Sequence, residues 1–245
     1  MNLIEFVKDW WKERQKASFS TNYTCTRCGK EVYDNGYFCC ACREKLPWQL
    51  PYVCPRCGRK TEQGGGICQR CKADPPLYLR ARSAFSYQDE IVGYVKAFKN
   101  GAQYYSVLFG REMEAYRLSF PRAELMIPVP ITAKKRRRRG YNQAELLADY
   151  LSERWNLPCK KELILKMKDG DEQKGLSRKE RKENVKGLYR LASKKAFQGK
   201  GVIIVDDVMT TGSTVNEIAR LLKQAGASYI YVLTAVATPL EEHEK

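Results

Sequence analysis

The sequence predicts an α/β domain with a small cysteine-rich module in front of it. From residue 77 onward, helical and strand patterns alternate, which is typical of a mostly parallel sheet flanked by helices. The run Val-Ile-Ile-Val at 202–205 is continuously apolar, as expected of a central strand that is covered on both faces. Nine of the ten cysteines precede residue 72, which indicates a module stabilised by metal rather than by a large core.

Periodicity assigns the individual elements of the α/β part. Ile91, Val95 and Phe98 fall on one face of a helix over 89–99, and Leu147 and Leu151 do the same over 142–155. Further helices are predicted over 104–118 and 215–225, and strands over 84–87, 125–129, 202–205 and 229–235. The strand–helix–strand order at the end of the chain predicts a right-handed βαβ unit.

Length and charge narrow the class of protein. The 245 residues accommodate a core domain and a smaller module. The 44 Lys and Arg outnumber the 28 Asp and Glu, and the resulting formal charge of +16 favours a polyanionic partner.

No apolar run approaches the roughly 18 residues of a transmembrane helix, and Glu5, Lys8 and Asp9 interrupt any signal-peptide core. A cytoplasmic, reducing location is therefore expected, where clustered cysteines usually bind metal. The N-terminal stretch predicts a short helix with an apolar stripe.

The cysteines form four C-x-x-C pairs at even spacing, about ten residues apart. This spacing lets both sulfurs of a pair face one ion, and four thiolates in tetrahedral geometry suit Zn²⁺. Gly29 and Gly58 follow two of the pairs, where the turn needs a positive φ. Eight ligands predict two structural zinc ions. Sequential pairing assigns Cys25, Cys28, Cys39 and Cys42 to one ion and Cys54, Cys57, Cys68 and Cys71 to the other.

A crossed, RING-like pairing of these cysteines stays open. Cys40 is interpreted as a bystander and Cys159 as an ordinary thiol. The predicted organisation is a helix and link over 1–20, a double zinc ribbon over 21–76 and the α/β domain over 77–245. Such a ribbon binds nucleic acid, contacts a partner or simply stabilises a small fold, and the sequence does not choose among these roles.

An anion site is predicted where the strand at 202–205 ends. Asp206 and Asp207 follow it, and a hydroxyl-rich loop then leads into a helix, whose N-terminus attracts anions. The loop residues are Thr210, Thr211, Gly212, Ser213 and Thr214. Two carboxylates would repel a bare phosphate but suit the vicinal hydroxyls of a ribose, so a phosphorylated sugar is expected. Thr214 and Glu217 have the spacing of a capping box.

Residues 202–214 resemble the phosphoribosyl pyrophosphate (PRPP) motif of type I phosphoribosyltransferases, and the whole chain is similar to the ComF family of competence proteins (ComFC type). The four cysteine pairs match that family's double zinc ribbon. Ile127-Pro128-Val129-Pro130, with Lys135 and Arg139-Gly140-Tyr141-Asn142-Gln143, resembles a second family block. Gln173, Leu176-Ser177-Arg178, Arg181 and Asn184-Val185-Lys186-Gly187 resemble a third.

The resemblance implies a type I phosphoribosyltransferase fold and a role for each block. Asp206 and Asp207 would hold the ribose hydroxyls of PRPP, and residues 210–214 its 5′-phosphate. The loop after Val129 would face the pyrophosphate, with Pro130, Lys135 and Arg139 as its candidate residues. Residues 166–184 would form a hood over the site, and Mg²⁺ would bridge pyrophosphate and ribose. The resemblance also implies a cytoplasmic role with single-stranded DNA in natural transformation, with partners such as a DNA-uptake helicase or other competence proteins.

Six consecutive cations lie between the second predicted strand and the helix over 142–155. One pyrophosphate cannot use all six, so this run favours a polynucleotide backbone as well. The candidate DNA contacts are Lys134, Arg136, Arg137 and Arg138. Two functions therefore stay open: a DNA-handling protein with a PRPP site, which we favour, and an active phosphoribosyltransferase that releases pyrophosphate from Mg-PRPP.

Overall fold

The computed structural model describes residues 24–32, 37–49, 51–61, 65–168, 180 and 184–240. The chain divides into two compact units, Met1–Leu46 and Pro47–Lys245. The division falls between the two cysteine groups, so the second group belongs to the same unit as the α/β part. The domain boundaries near residues 20 and 76 stay a prediction, and the N-terminal helix lies outside the described residues.

Strands and helices alternate from residue 80 onward, as the sequence predicts. The strands are β1 (Arg80–Ser86), β2 (Leu125–Pro128), β3 (Ile164–Lys166), β4 (Tyr189–Leu191), β5 (Gly201–Met209) and β6 (Tyr229–Ala237). The helices are α1 (Cys40–Arg43), α2 (Gln69–Ala73), α3 (Asp89–Lys99), α4 (Tyr105–Glu114), α5 (Ala133–Arg139), α6 (Gln143–Trp155) and α7 (Ser213–Gln224). Short 3₁₀ turns occur at Arg117–Ser119 and Lys195–Phe197.

The central sheet has four parallel strands in the order β1-β6-β5-β2. Strand β5 is interior, and Val202, Ile203, Ile204 and Val205 are all fully buried. Because successive side chains of a strand point to opposite faces, burial of all four means that both faces of the sheet are covered. Val202 and Ile204 belong to one core cluster with Ile218 and Leu222 of α7. The predicted α/β class with a central parallel sheet is confirmed.

Two local predictions are wrong. The helix predicted over 104–118 ends at Glu114, and a separate 3₁₀ turn follows. The predicted capping box of Thr214 and Glu217 is absent because α7 begins two residues earlier, after Gly212 at φ 78°. The buried Glu217 carboxylate instead accepts two hydrogen bonds from Arg220 at 2.8 Å. No helix in the described ranges is long and apolar enough to cross a membrane.

Candidate functional site

The predicted site lies at the carboxyl end of the central sheet. β5 pairs in parallel with β6 on one side and with β2 on the other, where Pro128 is opposite Val205. The carboxyl ends of parallel strands share one edge of a sheet, and crevices at this edge bind ligands in open α/β folds. Asp206, Asp207 and the 210–214 loop therefore lie at the same edge as the residues that follow β2.

The two aspartates form a crowded acidic pair. Burial raises the pKa of the Asp206 carboxyl well above its ordinary value, and the neighbouring Asp207 carboxylate raises it further. Each carboxylate also accepts a hydrogen bond from the next amide, Asp207 N at 3.0 Å and Val208 N at 2.9 Å. The backbone amides thus hold both carboxylates in place. The negative charge of the pair still lowers the stability of the folded protein, as expected of groups that bind a ligand with hydrogen-bond donors.

Lys99 is a site residue that sequence analysis did not find. Lys99 is the last residue of α3, and its ammonium lies 3.2 Å from Asp207 Oδ2. That oxygen is buried and has no hydrogen bond with the described residues. The Lys99 charge opposes the rise in the pKa of Asp206. No local motif marks this lysine, since only the tertiary fold brings residues 99 and 207 together.

The 210–214 loop follows β5 directly and leads into α7. Gly212 has φ 78°, a conformation that favours glycine, and ends the loop as the N-cap of α7. The hydroxyls of Thr211 and Ser213 lie 2.8 Å apart, and Ser213 N donates to Thr211 Oγ1 at 3.3 Å. These hydroxyls and the free end of the twelve-residue helix α7 provide the donors that a phosphate requires.

The basic run folds as helix α5 rather than as a loop. Thr132 caps it by accepting from Lys135 N, and Gly140 ends it at φ 80°. Lys134, Arg137 and Arg138 are exposed. Arg136 is exposed as well, but it forms an ion pair with Glu145, and the half-buried Arg139 donates to Gln143 Oε1 at 3.1 Å. Pro130 lies in the short connection between β2 and this helix.

The segment after Gly140 anchors the basic helix to the sheet edge. Asn142 is buried, and its Nδ2 donates to Val129 O at 3.0 Å. Tyr141 donates its hydroxyl proton to Phe98 O, and Gln143 Nε2 donates to the same oxygen at 3.2 Å. Because Phe98 precedes Lys99, this segment also fixes the end of α3 beside the aspartates.

The third block of the family resemblance is described only in part. Its residues Gln173, Leu176, Ser177, Arg178 and Arg181 lie outside the described residues. The hood role of 166–184 therefore stays a prediction. The antiparallel strands β3 and β4, which sequence analysis did not find, flank this stretch.

The eight predicted cysteine ligands gather into two groups of four in sequential order. Within each group the sulfurs lie within 4.8 Å of one another. Cys28 and Cys39 have sulfurs 3.8 Å apart, as do Cys57 and Cys68. Two ligands about 2.3 Å from a tetrahedral zinc ion are separated by about 3.8 Å, whereas a disulfide needs about 2.05 Å. The groups thus fit structural Zn²⁺, and Cys40 and Cys159 lie outside them.

The two cysteine groups differ in their surroundings. All four cysteines of the second group are buried, whereas Cys28 of the first group is exposed. Gly29 and Gly58 both have the predicted positive φ, 72° and 69°. A Cβ on Gly29 would meet nothing within 4 Å, but one on Gly58 would lie 2.4 Å from Ala81 O. The second group is therefore pressed against β1.

We expect metal analysis to give two zinc ions per chain. Cys68→Ser should leave one ion, because a Cys₃ site holds zinc less tightly, and Cys40→Ser should leave two. Elemental analysis of unchelated protein measures both. A wild-type ratio near zero, or loss of an ion from Cys40→Ser, would contradict the assignment.

Asp206→Asn should stabilise the protein without ligand. Since the folded state raises the pKa of Asp206, the carboxylate costs stability at neutral pH, and this cost disappears as pH falls and the carboxyl becomes protonated. We expect the melting temperature to rise by about 2–4 °C, the shift that about 1 kcal/mol produces in a chain of this size. The gain should shrink toward pH 4.

The matched control for this substitution is Asp149→Asn, which removes an exposed carboxylate paired with Lys161. It should change the melting temperature little or lower it slightly. A lower melting temperature for Asp206→Asn than for wild type at pH 7 would show that the acidic pair is not strained.

Two family models match separate parts of this chain. A family model described as a double zinc ribbon domain matches residues 20–74, and one described as a phosphoribosyl transferase domain matches residues 137–245. The second match includes the aspartates and the 210–214 loop. A solved structure of glutamine phosphoribosylpyrophosphate amidotransferase from B. subtilis is similar at 22% identity, covering 51% of this chain and 25% of that chain, with a TM-score of 0.36.

Several curated proteins are similar in sequence. Competence protein F of Haemophilus influenzae is 43% identical over 48% of this chain and 51% of its own length. DNA utilization protein YhgH of Escherichia coli O6:H1 is 43% identical over 44% of this chain and 46% of its own. Competence protein ComFC of Bacillus subtilis is 26% identical over 62% of each chain.

The chain spans about half the length of the first two of these relatives. The two cysteine groups, the parallel sheet and both family models nevertheless agree on one architecture. The chain is a homologue of Competence protein F, ComFC and YhgH, with a double zinc ribbon domain and a phosphoribosyl transferase domain built on a central parallel sheet.

Proposed function

We propose that this protein binds Mg-PRPP at the carboxyl end of β5 and single-stranded DNA on helix α5, and that it acts in DNA uptake in the cytoplasm. The observation that carries the proposal is that the acidic pair, the 210–214 loop and the start of the basic helix lie at the same edge of the sheet. The acidic pair lies within β5 near its carboxyl end, the 210–214 loop follows this strand, and the basic helix follows β2, its direct neighbour.

The PRPP part rests on the arrangement of charge. Asp206 and Asp207 accept hydrogen bonds and therefore suit the two ribose hydroxyls, while the hydroxyls and amides of the 210–214 loop suit the 5′-phosphate. Binding a diol would also give the two carboxylates further donors, including one for the Asp207 Oδ2 atom that has no hydrogen bond among the described residues. A phosphate without a sugar would gain only the loop and would be repelled by the acidic pair.

The acidic edge also fits Mg²⁺ as a companion of PRPP. Asp207 Oδ2 is a buried acceptor without a hydrogen bond among the described residues, and carboxylate oxygens are ligands that Mg²⁺ prefers. When bound with PRPP, Mg²⁺ would offset the negative charge of the pyrophosphate. Lys99 holds Asp207 in place before any ligand arrives.

The DNA part rests on the exposed cations of α5 and on the formal charge of +16. One turn of helix presents Lys134, Arg137 and Arg138 to solvent, more charge than one pyrophosphate needs. The names of the relatives, competence protein and DNA utilization protein, support this role. Other competence proteins, such as a DNA-uptake helicase, are the partners that we propose.

An active phosphoribosyltransferase is the second candidate, favoured by the family match over residues 137–245. Loss of pyrophosphate from PRPP needs stabilisation of the leaving group rather than a nucleophilic side chain. The deciding experiment incubates the protein with Mg-PRPP and candidate acceptors, including single-stranded DNA, and measures pyrophosphate. Release above background would establish an enzyme, and DNA binding without release would favour a ligand-binding role.

Replacing both aspartates by Asn should abolish the thermal stabilisation by Mg-PRPP. The double variant keeps the size of both side chains but loses the charged acceptors for the ribose. Differential scanning fluorimetry with and without Mg-PRPP measures the shift, and Asp149→Asn should retain it. An unchanged shift in the double variant would place the PRPP site elsewhere.

Replacing Arg137 and Arg138 by Ala should weaken single-stranded DNA binding and flatten its salt dependence. Each lost phosphate contact lowers the slope of log K against log salt by about 0.7, so we expect a change of about 1.4. Arg136 is kept because it pairs with Glu145. Titration of a labelled oligonucleotide at several salt concentrations gives the slope.

Lys194→Ala with Lys195→Ala is the charge-matched control. These two exposed lysines precede β5 and so lie toward the amino end of the sheet, away from the site. If both double variants changed affinity equally, DNA binding would reflect net charge and not helix α5.

A further inference from the structure

Two arginines of the second zinc ribbon reach the 210–214 loop. Arg59 follows the first knuckle of that ribbon, and Arg70 lies in α2 between the two cysteines of the second knuckle. Nη2 of Arg59 donates to Thr210 O and, at 3.4 Å, to Met209 O, while its Nε donates to Thr238 O at 3.0 Å. Arg70 Nη2 donates to Thr211 O.

The position of each arginine is set by the fold of its knuckle. Cys54 N donates to Arg59 O at 2.8 Å, and Gly58 N donates to Cys54 O at 2.9 Å, which closes the turn that projects Arg59. Lys72 N donates to Cys68 O at 3.0 Å in the turn that carries Arg70. The knuckle is in turn fixed to the sheet, because Ala81 N donates to Arg56 O at 2.7 Å.

Arg59 is an unusual residue to bury, since it is only 1% exposed. A buried guanidinium is costly unless its donors are satisfied. Here they are satisfied by main-chain carbonyls at the ends of β5 and β6. An arginine that served only to fill space would not need several carbonyl acceptors in one place.

Holding the carbonyls also fixes the amides of the loop. A trans peptide is planar, so its C=O and N–H point in opposite directions. With Thr210 O directed to Arg59 and Thr211 O directed to Arg70, the amides of Thr211 and Gly212 are turned away from the ribbon. Within the described ranges neither amide has a hydrogen-bond acceptor, so both are available to an anion.

A small open cleft of about 40 Å³ lies between the second cysteine group and the loop. Cys57, Cys71 and Arg70 line one side, and Thr211, Gly212 and Ser213 line the other. The cysteine group and the loop thus contact the same space, and the arginines cross it. The first cysteine group belongs to the other compact unit.

We propose that the second zinc ribbon is a clamp that sets the conformation of the 210–214 loop, with Arg59 and Arg70 as positioning residues. A correctly folded second ribbon is then a condition for anion binding at the loop. The identity of the anion as PRPP rests on the proposed function, but the ordering of the loop by the two arginines does not.

Hydrogen–deuterium exchange on the full-length protein tests the clamp without any ligand. Arg59→Gln and Arg70→Gln should each make the hydrogen-bonded amides at the loop exchange on the order of tenfold faster, the effect of losing one charged hydrogen bond. These amides are Ser213 N, which donates to Thr211 Oγ1, Asn216 N, which donates to Gly212 O, and Thr238 N, which donates to Met209 O. Zinc content should remain two per chain. Arg70→Lys keeps one charged donor and should restore much of the protection, which a purely steric role would not explain.

Lys30→Gln is the matched control. Lys30 holds in the first ribbon the place that Arg59 holds in the second, since Cys25 N donates to Lys30 O as Cys54 N donates to Arg59 O. It should leave exchange of the loop unchanged. If Arg59→Gln does not fold, as judged by zinc content and circular dichroism, the partly exposed Arg70 decides alone.

Unchanged loop exchange in Arg70→Gln, with zinc retained, overturns the clamp. Mg-PRPP affinity, measured in parallel, separates this outcome from failure of the proposed function. Wild-type protein that does not bind PRPP but shows the exchange effect would refute the function and leave the clamp. Wild type and Arg70→Gln that bind PRPP equally, with equal exchange, would refute the clamp alone.

Discussion

The parallel pairing of β5 between β6 and β2 is the constraint on which the site depends. It brings the carboxyl ends of three strands to one edge. At this edge, β5 and β2 lead into segments of opposite charge and different function. β5 carries the acidic pair near its carboxyl end and continues into a hydroxyl-rich loop, and β2 leads into a capped basic helix. The apolar residues 202–205 fix this pairing because all four are buried.

The acidic pair shows that a binding site can lower the stability of the folded protein. Asp206 titrates at a raised pKa because it is buried beside a second carboxylate, and only Lys99 supplies a nearby opposite charge among the groups that shift it. The surrounding structure holds Lys99 through the Tyr141 and Gln143 contacts to Phe98 O. The 139–143 block, which the family resemblance links to the ligand, thus also holds the end of α3 in place.

The two cysteine groups have the same spacing but different settings. Both carry a positive-φ glycine after a C-x-x-C pair, yet only Gly58 is covered by the backbone of β1. The second group shares a unit with the sheet, whereas the first belongs to the other unit. Equal motifs can therefore serve unequal purposes: one stabilises a separate unit, and the other reaches the loop beside the acidic pair.

Local patterns predicted most of the fold, and tertiary contacts account for what they missed. Hydrophobic periodicity located α3 with the correct bounds, and α6, β5 and β6 to within a few residues, because each buries a regular face. The short strands β3 and β4 have too few residues for a period. The roles of Lys99, Arg59 and Arg70 depend on partners more than a hundred residues away, which no motif encodes.

The function was less accessible than the fold for the same reason. The Asp206-Asp207 pair and its loop indicate a phosphorylated sugar by their chemistry, and the exposed face of α5 indicates a polyanion by its charge. The sequence alone does not show which of the six cations at 134–139 already have protein partners. The structure pairs Arg136 with Glu145 and Arg139 with Gln143, so these two side chains already have protein partners, although Arg136 stays exposed.

The most direct test of the account is a crystal structure of the protein with Mg-PRPP. We expect the 5′-phosphate against the amides and hydroxyls of residues 210–214, and both ribose hydroxyls within hydrogen-bond distance of the Asp206 and Asp207 carboxylates. A PRPP molecule bound at another edge of the sheet, or one that leaves both carboxylates without contact, would contradict it.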